Sequence, residues 1–242
     1  MNDYPQNRTA AAAHAADATF ATGLSPDISK VLRNTYMLLA MTLTVSAGAA
    51  MASMAADLSH GTGLIMMLVA LVLLFFVLPR TAHSAAGLGV VFAFTALLGG
   101  ALGPTLNHYL AMDGGSGIVT SALGSTALVF FTLSGYVLVT GKDFSFMRGF
   151  LLTGLIVALV SMLGLILASM FGVQSILGAQ LSGAFLALNA MIALLMSGFI
   201  LYDTSRIVNG GETNYVLATV ALYLNIYNLF ASLLHLFGAA NE

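Results

Sequence analysis

The chain has no cysteine and no tryptophan, and charged side chains make up only 7% of it. The missing cysteine excludes disulfides, thiolate nucleophiles and thiolate-bound metals. It does not report a compartment. The scarcity of charge excludes a soluble domain, in which about a quarter of the residues are normally charged. Seven Lys and Arg stand against nine Asp and Glu, for a net charge of −2. That balance offers no basic surface for nucleic acid. His14, His60, His83, His108 and His235 are scattered, without metal-ligand spacing, so no metal or other cofactor is expected. No phosphate-binding glycine motif occurs, and "GFIL" at 198–201 carries no nucleophile pattern. Ser232 and His235 are an i,i+3 pair without an orienting acid or oxyanion donors. They read as helix packing or a polar lining, and the chain as not an enzyme.

What is abundant is apolar. Hydrophobic residues make up 59% of the sequence, and mean hydropathy is +0.98. This is an all-α, polytopic membrane protein, and 242 residues fit one helical bundle. Residues 1–30, with "TAAAAHAADATFATG", lack the basic start, apolar core and cleavage site of a signal peptide. They are expected to form a mobile tail ahead of a transmembrane domain over 31–238. "SPDIS" reads as a helix start, with Ser25 as N-cap and Pro26 at the first helical position.

A helix crosses the hydrocarbon in about 20 residues. Seven spans are expected, near 33–56, 62–79, 84–106, 117–140, 149–171, 180–203 and 215–237. Turn signals separate them: "HGTG", "LPR", "DGGSG", "GKDF", "FGVQS" and "NGGETN". Arg8, Lys30, Arg33, Arg80, Lys142, Arg148 and Arg206 then all fall on the side of the N-terminal tail. The opposite loops hold Asp57, His60, His108 and Asp113. The positive-inside rule places the N-terminus in the cytoplasm and the C-terminus outside. Tyr36, Tyr109, Tyr202 and Tyr215 lie near span ends and take the interfacial role that tryptophan leaves open.

Small residues bring helices together in lipid. The third span carries Thr95, Gly99, Gly103 and Asn107 at four-residue steps. The first offers Thr42, Ser46 and Ala50, and the fourth Ser121 and Ser125. Close packing is the plain reading of these ridges, and a water path the other. The seventh span bears a polar stripe of Ala218, Ala221, Asn225, Asn228, Ser232 and His235 within an arc of about 100°. Such a stripe must face protein or water, which makes this helix central. On the sixth span Ser182, Asn189, Met196 and Asp203 recur every seven residues, on one slowly drifting face.

No Asp, Glu, Lys, Arg or His occurs between Gly149 and Tyr202. "LYDTSR" breaks that run with Asp203 and Arg206. Two readings stand. In one, the two form a solvated i,i+3 pair at the interface. In the other, Asp203 faces the bundle beside the seventh helix as a proton-sensitive latch or cation site. Direct contact with Asn225 meets a difficulty, because the two lie at depths differing by about 9 Å at 1.5 Å per residue.

The segment "ILYDTSRIVNGGETNYVLATVALYLNIYNLFASLLHLFG" resembles the C-terminal signature of the Bax inhibitor-1 family, in its bacterial YccA-type branch. "LPRT" and "GSTALVFFTLSGYVLVTGKDFSF" extend the resemblance over about residues 25–238. The resemblance implies a seven-helix bundle with a central last helix. It also implies a pair of aspartates that sense pH and gate a calcium leak. The first matches Asp203, but the second position holds Asn225. An amide cannot share a proton as a second carboxylate does. Arg80 matches, approximately, a basic residue implied to latch the same side. Asp203, Asn225, Arg80, Arg206, Asn228, Ser232 and His235 are the pH-sensing or ion-path candidates. The branch further implies a bacterial inner-membrane location and a partner, the membrane-bound protease FtsH, for which its members are substrates and modulators. The N-terminal tail suits a protease that pulls on chain ends, and equally an ordinary disordered terminus. Expected partners are therefore an FtsH-type protease, the lipid bilayer and, on the leak reading, calcium ion.

Overall fold

Ser25 caps the first helix, its side chain accepting from the Ile28 amide, and Pro26 follows at the first position. The structure, a computed structural model, describes residues 25–171 and 174–241; for 174–181 the backbone alone is described. The helices are α1 (Pro26–Ala55), α2 (His60–Thr81), α3 (Ala85–Leu110), α4 (Gly115–Thr140), α5 (Arg148–Met170), α6 (Gln174–Val208) and α7 (Tyr215–Ala239). All seven expected spans are present, each long and apolar enough to cross a membrane. No strand occurs among the described residues. Of the expected tail, residues 26–30 are the start of α1, and 1–24 lie outside the described residues.

Two boundaries differ from expectation in ways that matter. "LPR" does not end α2. The helix passes through Pro79 by widening into a π-helical segment over Leu73–Val77 just before it. A proline ring crowds the carbonyl four residues back, and a wider turn relieves that clash. The second difference is in α6, which continues past Asp203 to Val208. The carboxylate therefore sits about a turn and a half inside the helix, not at its tip.

Contacts across the bundle fix which helix ends lie together. Tyr36 at the start of α1 bonds Ser134 near the end of α4, and Ser134 lies 3.3 Å from Thr204 near the end of α6. Asn214, ahead of α7, donates to the Ala82 carbonyl just after α2. At the opposite end Asn107 of α3 donates to the Met54 carbonyl of α1. Tyr109 of α3 meets His235 of α7 there, at 2.6 Å. The helices thus alternate in direction. Lys30, Arg33, Arg80, Lys142, Arg148 and Arg206 gather at one end, here called the basic end.

α7 is the most buried span and packs on α6, α4, α1 and α3. Tyr223 and Leu222 on it are almost fully enclosed, with Phe94 edge-on to Tyr223. The small-residue ridge of α3 meets α1 as packing. A Cβ on Gly99 would strike the Ser46 carbonyl oxygen, and one on Gly103 the Ser53 hydroxyl. On α4 the packed face is Ile118, Ala122, Thr126, Phe130 and Ser134. Ser121, expected on that face, is exposed, and Ser125 is half-buried. The four-residue run through Ala122 carries the larger apolar groups, and burying those outweighs burying two hydroxyls.

The α1–α3 contact gives a test. Gly99→Ala is expected to destabilise by about 1–3 kcal/mol, because overpacking against backbone exceeds the helix-propensity gain. Gly89→Ala on the same helix has open space beside it and is expected to be neutral or slightly stabilising. Thermal unfolding of both variants in detergent measures the difference, and equal midpoints would contradict the close approach.

Candidate functional site

Four consecutive residues near the end of α6 point four ways. Asp203, Thr204 and Ser205 are buried, and Arg206 is half-buried. Successive helix positions are about 100° apart, so a run of four sweeps the whole circumference. Asp203 faces α7 and Thr204 faces Ser134 and Tyr36. Ser205 faces the α4–α5 loop, accepting from the Phe144 amide at 2.8 Å. Arg206 faces the α6–α7 loop.

The central contact is between α6 and α7. Asn225 Nδ2 donates to Asp203 Oδ2 at 2.7 Å, with both residues buried. The depth difficulty is resolved in part by side-chain direction. Side chains lean toward the N-terminus of their own helix. In antiparallel α6 and α7 that brings Asp203 and Asn225 toward each other. Asp203 is thus turned inward toward α7 and not out to the interface, although its i,i+3 neighbour also takes part. Arg206 Nη1 lies 3.9 Å from Asp203 Oδ1.

The α6–α7 loop holds that arginine. Arg206 Nη2 is 3.1 Å from Glu212 Oε2. The amides of Gly211 and Glu212 both donate back to the Arg206 carbonyl. Gly210 makes the turn with φ +73°, a region that favours glycine. Asn214 then caps α7, its side-chain oxygen accepting from the Val216 and Leu217 amides.

The remaining predicted residues scatter. Asn228 lies on the same face as Asn225 and donates to its own helix at the Leu224 carbonyl. Ser232 is buried farther along α7. His235 is at the end opposite the basic residues, bonded to Tyr109, and does not join the site. Arg80 is not the partner of Asp203. It is exposed, and its guanidinium bonds the Phe76 carbonyl of its own helix. Arg206, three residues along α6, takes the place that Arg80 was expected to fill. On α6, Ser182 is exposed and Asn189 bonds its own backbone, so that face turns polar only at Asp203.

A cavity of about 580 Å³ opens beside the pair, between α5, α6 and α7. Asp203, Asn225 and Asn228 form its polar part. Arg148 and Arg206 stand on its lining at the basic end. Arg148, at the start of α5, was not foreseen as a site residue. Nothing in its own neighbourhood marks it, since only the fold sets α5 beside α6 with a gap toward α7. Thr204 and Ser205 were missed as well, although an unbroken "DTSR" inside a long helix is a visible signal. No group of three metal-ligating side chains occurs among the described residues.

Comparison with known proteins gives the lineage. The family model described as "Inhibitor of apoptosis-promoting Bax1" matches residues 28–242. The chain belongs to this Bax inhibitor-1 family. It is 46% identical over 213 residues to the Escherichia coli K12 protein named "Modulator of FtsH protease YccA", covering 88% of this chain and 91% of that one. It is 50% identical over 216 residues to a Vibrio cholerae protein named "Uncharacterized membrane protein", covering 89% and 92%. A Pseudomonas aeruginosa protein, uncharacterized, is 46% identical over 214 residues, covering 88% and 91%. A further Escherichia coli relative is named "Inner membrane protein YccA". Within the family the chain sits in the YccA-type branch, and it is a multi-pass inner-membrane protein.

Two predictions follow the geometry. Asn225→Leu leaves the Asp203 carboxylate with only the distant Arg206, and is expected to cost about 1–3 kcal/mol. Asp203→Asn keeps a side chain that can accept from the Asn225 amide, and is expected to cost less than about 1 kcal/mol. Equal losses in thermal unfolding would show that the amide is not what satisfies the carboxylate. The second concerns the α4–α5 loop. The Ser145 hydroxyl and amide beside Asp143 hold its carboxyl below the usual carboxylate range. A depressed folded value stabilises above the unfolded pKa, and that stabilisation is lost as pH falls through the folded one. Hydrogen exchange at Ser145 is therefore expected to lose protection only below about pH 4, and a midpoint at higher pH would refute the assignment.

Proposed function

We propose that this protein modulates an FtsH-type ATP-dependent protease in inner-membrane protein quality control, and is itself a substrate of it. The observation that carries the reading is 46% identity to a protein named as such a modulator, along nearly the whole of both chains. The fold is consistent with it. The bundle has no catalytic constellation among its described residues and is built around a packed central helix, as suits a protein that acts by binding. The basic end is taken as cytoplasmic, since cationic side chains resist translocation. The N-terminus then lies on that side, and we take the residues ahead of α1 as the handle for a protease that engages chain ends.

The alternative, a pH-sensitive calcium or cation leak, rests on the family resemblance. Calcium takes six to eight oxygen ligands. Beside α7 this chain offers one carboxylate, already bonded to an amide, and two guanidiniums on the same cavity. We read Asp203 and Asn225 as a latch between α6 and α7, with Arg206 part of it.

Overexpression is expected to lengthen the half-lives of membrane substrates of the protease several-fold, with the protease co-purifying. Unchanged half-lives would count decisively against modulation. Purified protein in liposomes with an entrapped calcium indicator tests the rival. Flux that depends on Asp203 would establish the leak, and silence at every pH from about 5 to 8 would dismiss it.

A further inference from the structure

The cavity between α5, α6 and α7 has two walls of different chemistry. Leu152, Leu155, Phe199 and Leu224 line it along the membrane interior. Arg148 and Arg206 line it at the basic end. Arg206 is occupied by Glu212 and, more distantly, by Asp203. Arg148 is exposed and has no hydrogen-bond or ion-pair partner among the described residues. From Arg148 to Leu155 the wall runs about 10 Å along α5. A free guanidinium at the interface above an apolar slot matches a lipid, with its charge at one end and its chain at the other. Basic pockets between transmembrane helices bind anionic headgroups in this way.

We propose that this cavity is a binding site for an anionic phospholipid. Arg148 takes the headgroup phosphate, with Arg206 beside it, and one acyl chain lies along the leucines and Phe199. The guanidinium suits a phosphate because its planar fork donates two parallel hydrogen bonds. The acyl chain covers apolar wall that the bundle leaves open. Asp203 and Glu212 also face this region, and each carries a counter-charge to Arg206. The region is neutral as a whole, two carboxylates against two guanidiniums, but both carboxylates sit on Arg206 and leave Arg148 unpaired, and that local positive charge is what selects an anionic lipid over a zwitterionic one. The proposal concerns this cavity alone and stands whether or not the protein modulates a protease.

Native mass spectrometry of the full chain in detergent tests it. The probes are phosphatidylglycerol and phosphatidylcholine with identical acyl chains. Wild type is expected to retain phosphatidylglycerol preferentially. Arg148→Gln, at an exposed position, is expected to lower that retention about fivefold, the effect of one charge near a membrane surface. Ala221→Phe, which fills the cavity and keeps both arginines, is expected to lower it similarly. Arg33→Gln, exposed at the same end and outside the cavity, is expected to leave it unchanged. Equal retention of the two lipids would overturn the proposal, and so would equal losses in Arg148→Gln and Arg33→Gln. Displacement of the lipid by glycerol phosphate would also overturn it, by making this a soluble-phosphate site. Should Ala221→Phe fail to fold, the comparison of the two arginine variants decides.

Discussion

A carboxylate held inside an apolar bundle must be satisfied from within, because lipid offers no hydrogen bonds. In this protein Asn225 supplies that bond to Asp203. The consequence is geometric as much as energetic. The contact pins one point of α6 to one point of α7, and so fixes their axial register. Because α7 packs on α6, α4, α1 and α3, its register sets the frame for the interior of the bundle. The register is reinforced at both ends of α7. At the basic end Asn214 ties its start to α2, and at the other end Tyr109 meets His235.

The neighbours of Asp203 extend the same logic around α6. A polar residue in lipid is tolerated only where it finds a partner, and four in a row find partners on four sides. Thr204 joins α6 to α4 and α1, Ser205 to the α4–α5 loop, and Arg206 to the α6–α7 loop. Polar pairs of this kind contribute modestly one by one in membranes, since the unpacked helices find other partners too. Their value is in direction. Each one admits a single rotation of α6, and together they leave it one orientation against four surrounding elements.

The seven spans, their alternation and the centrality of α7 were legible because each follows from a local quantity. Hydropathy marks a span, basic residues mark a side, and a polar stripe on one helix demands neighbours. The Gly99 and Gly103 ridge was legible for the same reason, since close packing needs small residues at helical spacing. What could not be read was which residues from distant spans would meet. Arg80 and Arg206 both stood at the right end, and only packing decides which of them reaches Asp203. The depth of Asp203 also depended on where α6 stops. Nothing in "TSRIV" ends a helix, and the glycines that end it come at 210 and 211. Arg148 belongs to the site solely because α5 lies beside α6 and leaves a gap toward α7.

Asn225 stands where the family resemblance implies a second aspartate, and the difference bears on the chemistry of this face. Two carboxylates in one pocket need a shared proton to coexist, so their contact breaks when both are ionised. An amide needs none, because it donates its own hydrogen to an ionised carboxylate. The α6–α7 contact in this chain can therefore persist without a proton being held between the partners. It also changes the balance of charge on the cavity. One carboxylate and Glu212 face two guanidiniums, and a second aspartate would have turned that balance negative. An amide at 225 thus does two things at once. It lets the α6–α7 contact form without a shared proton, and it adds no negative charge to a cavity where Asp203 and Glu212 already match the two guanidiniums.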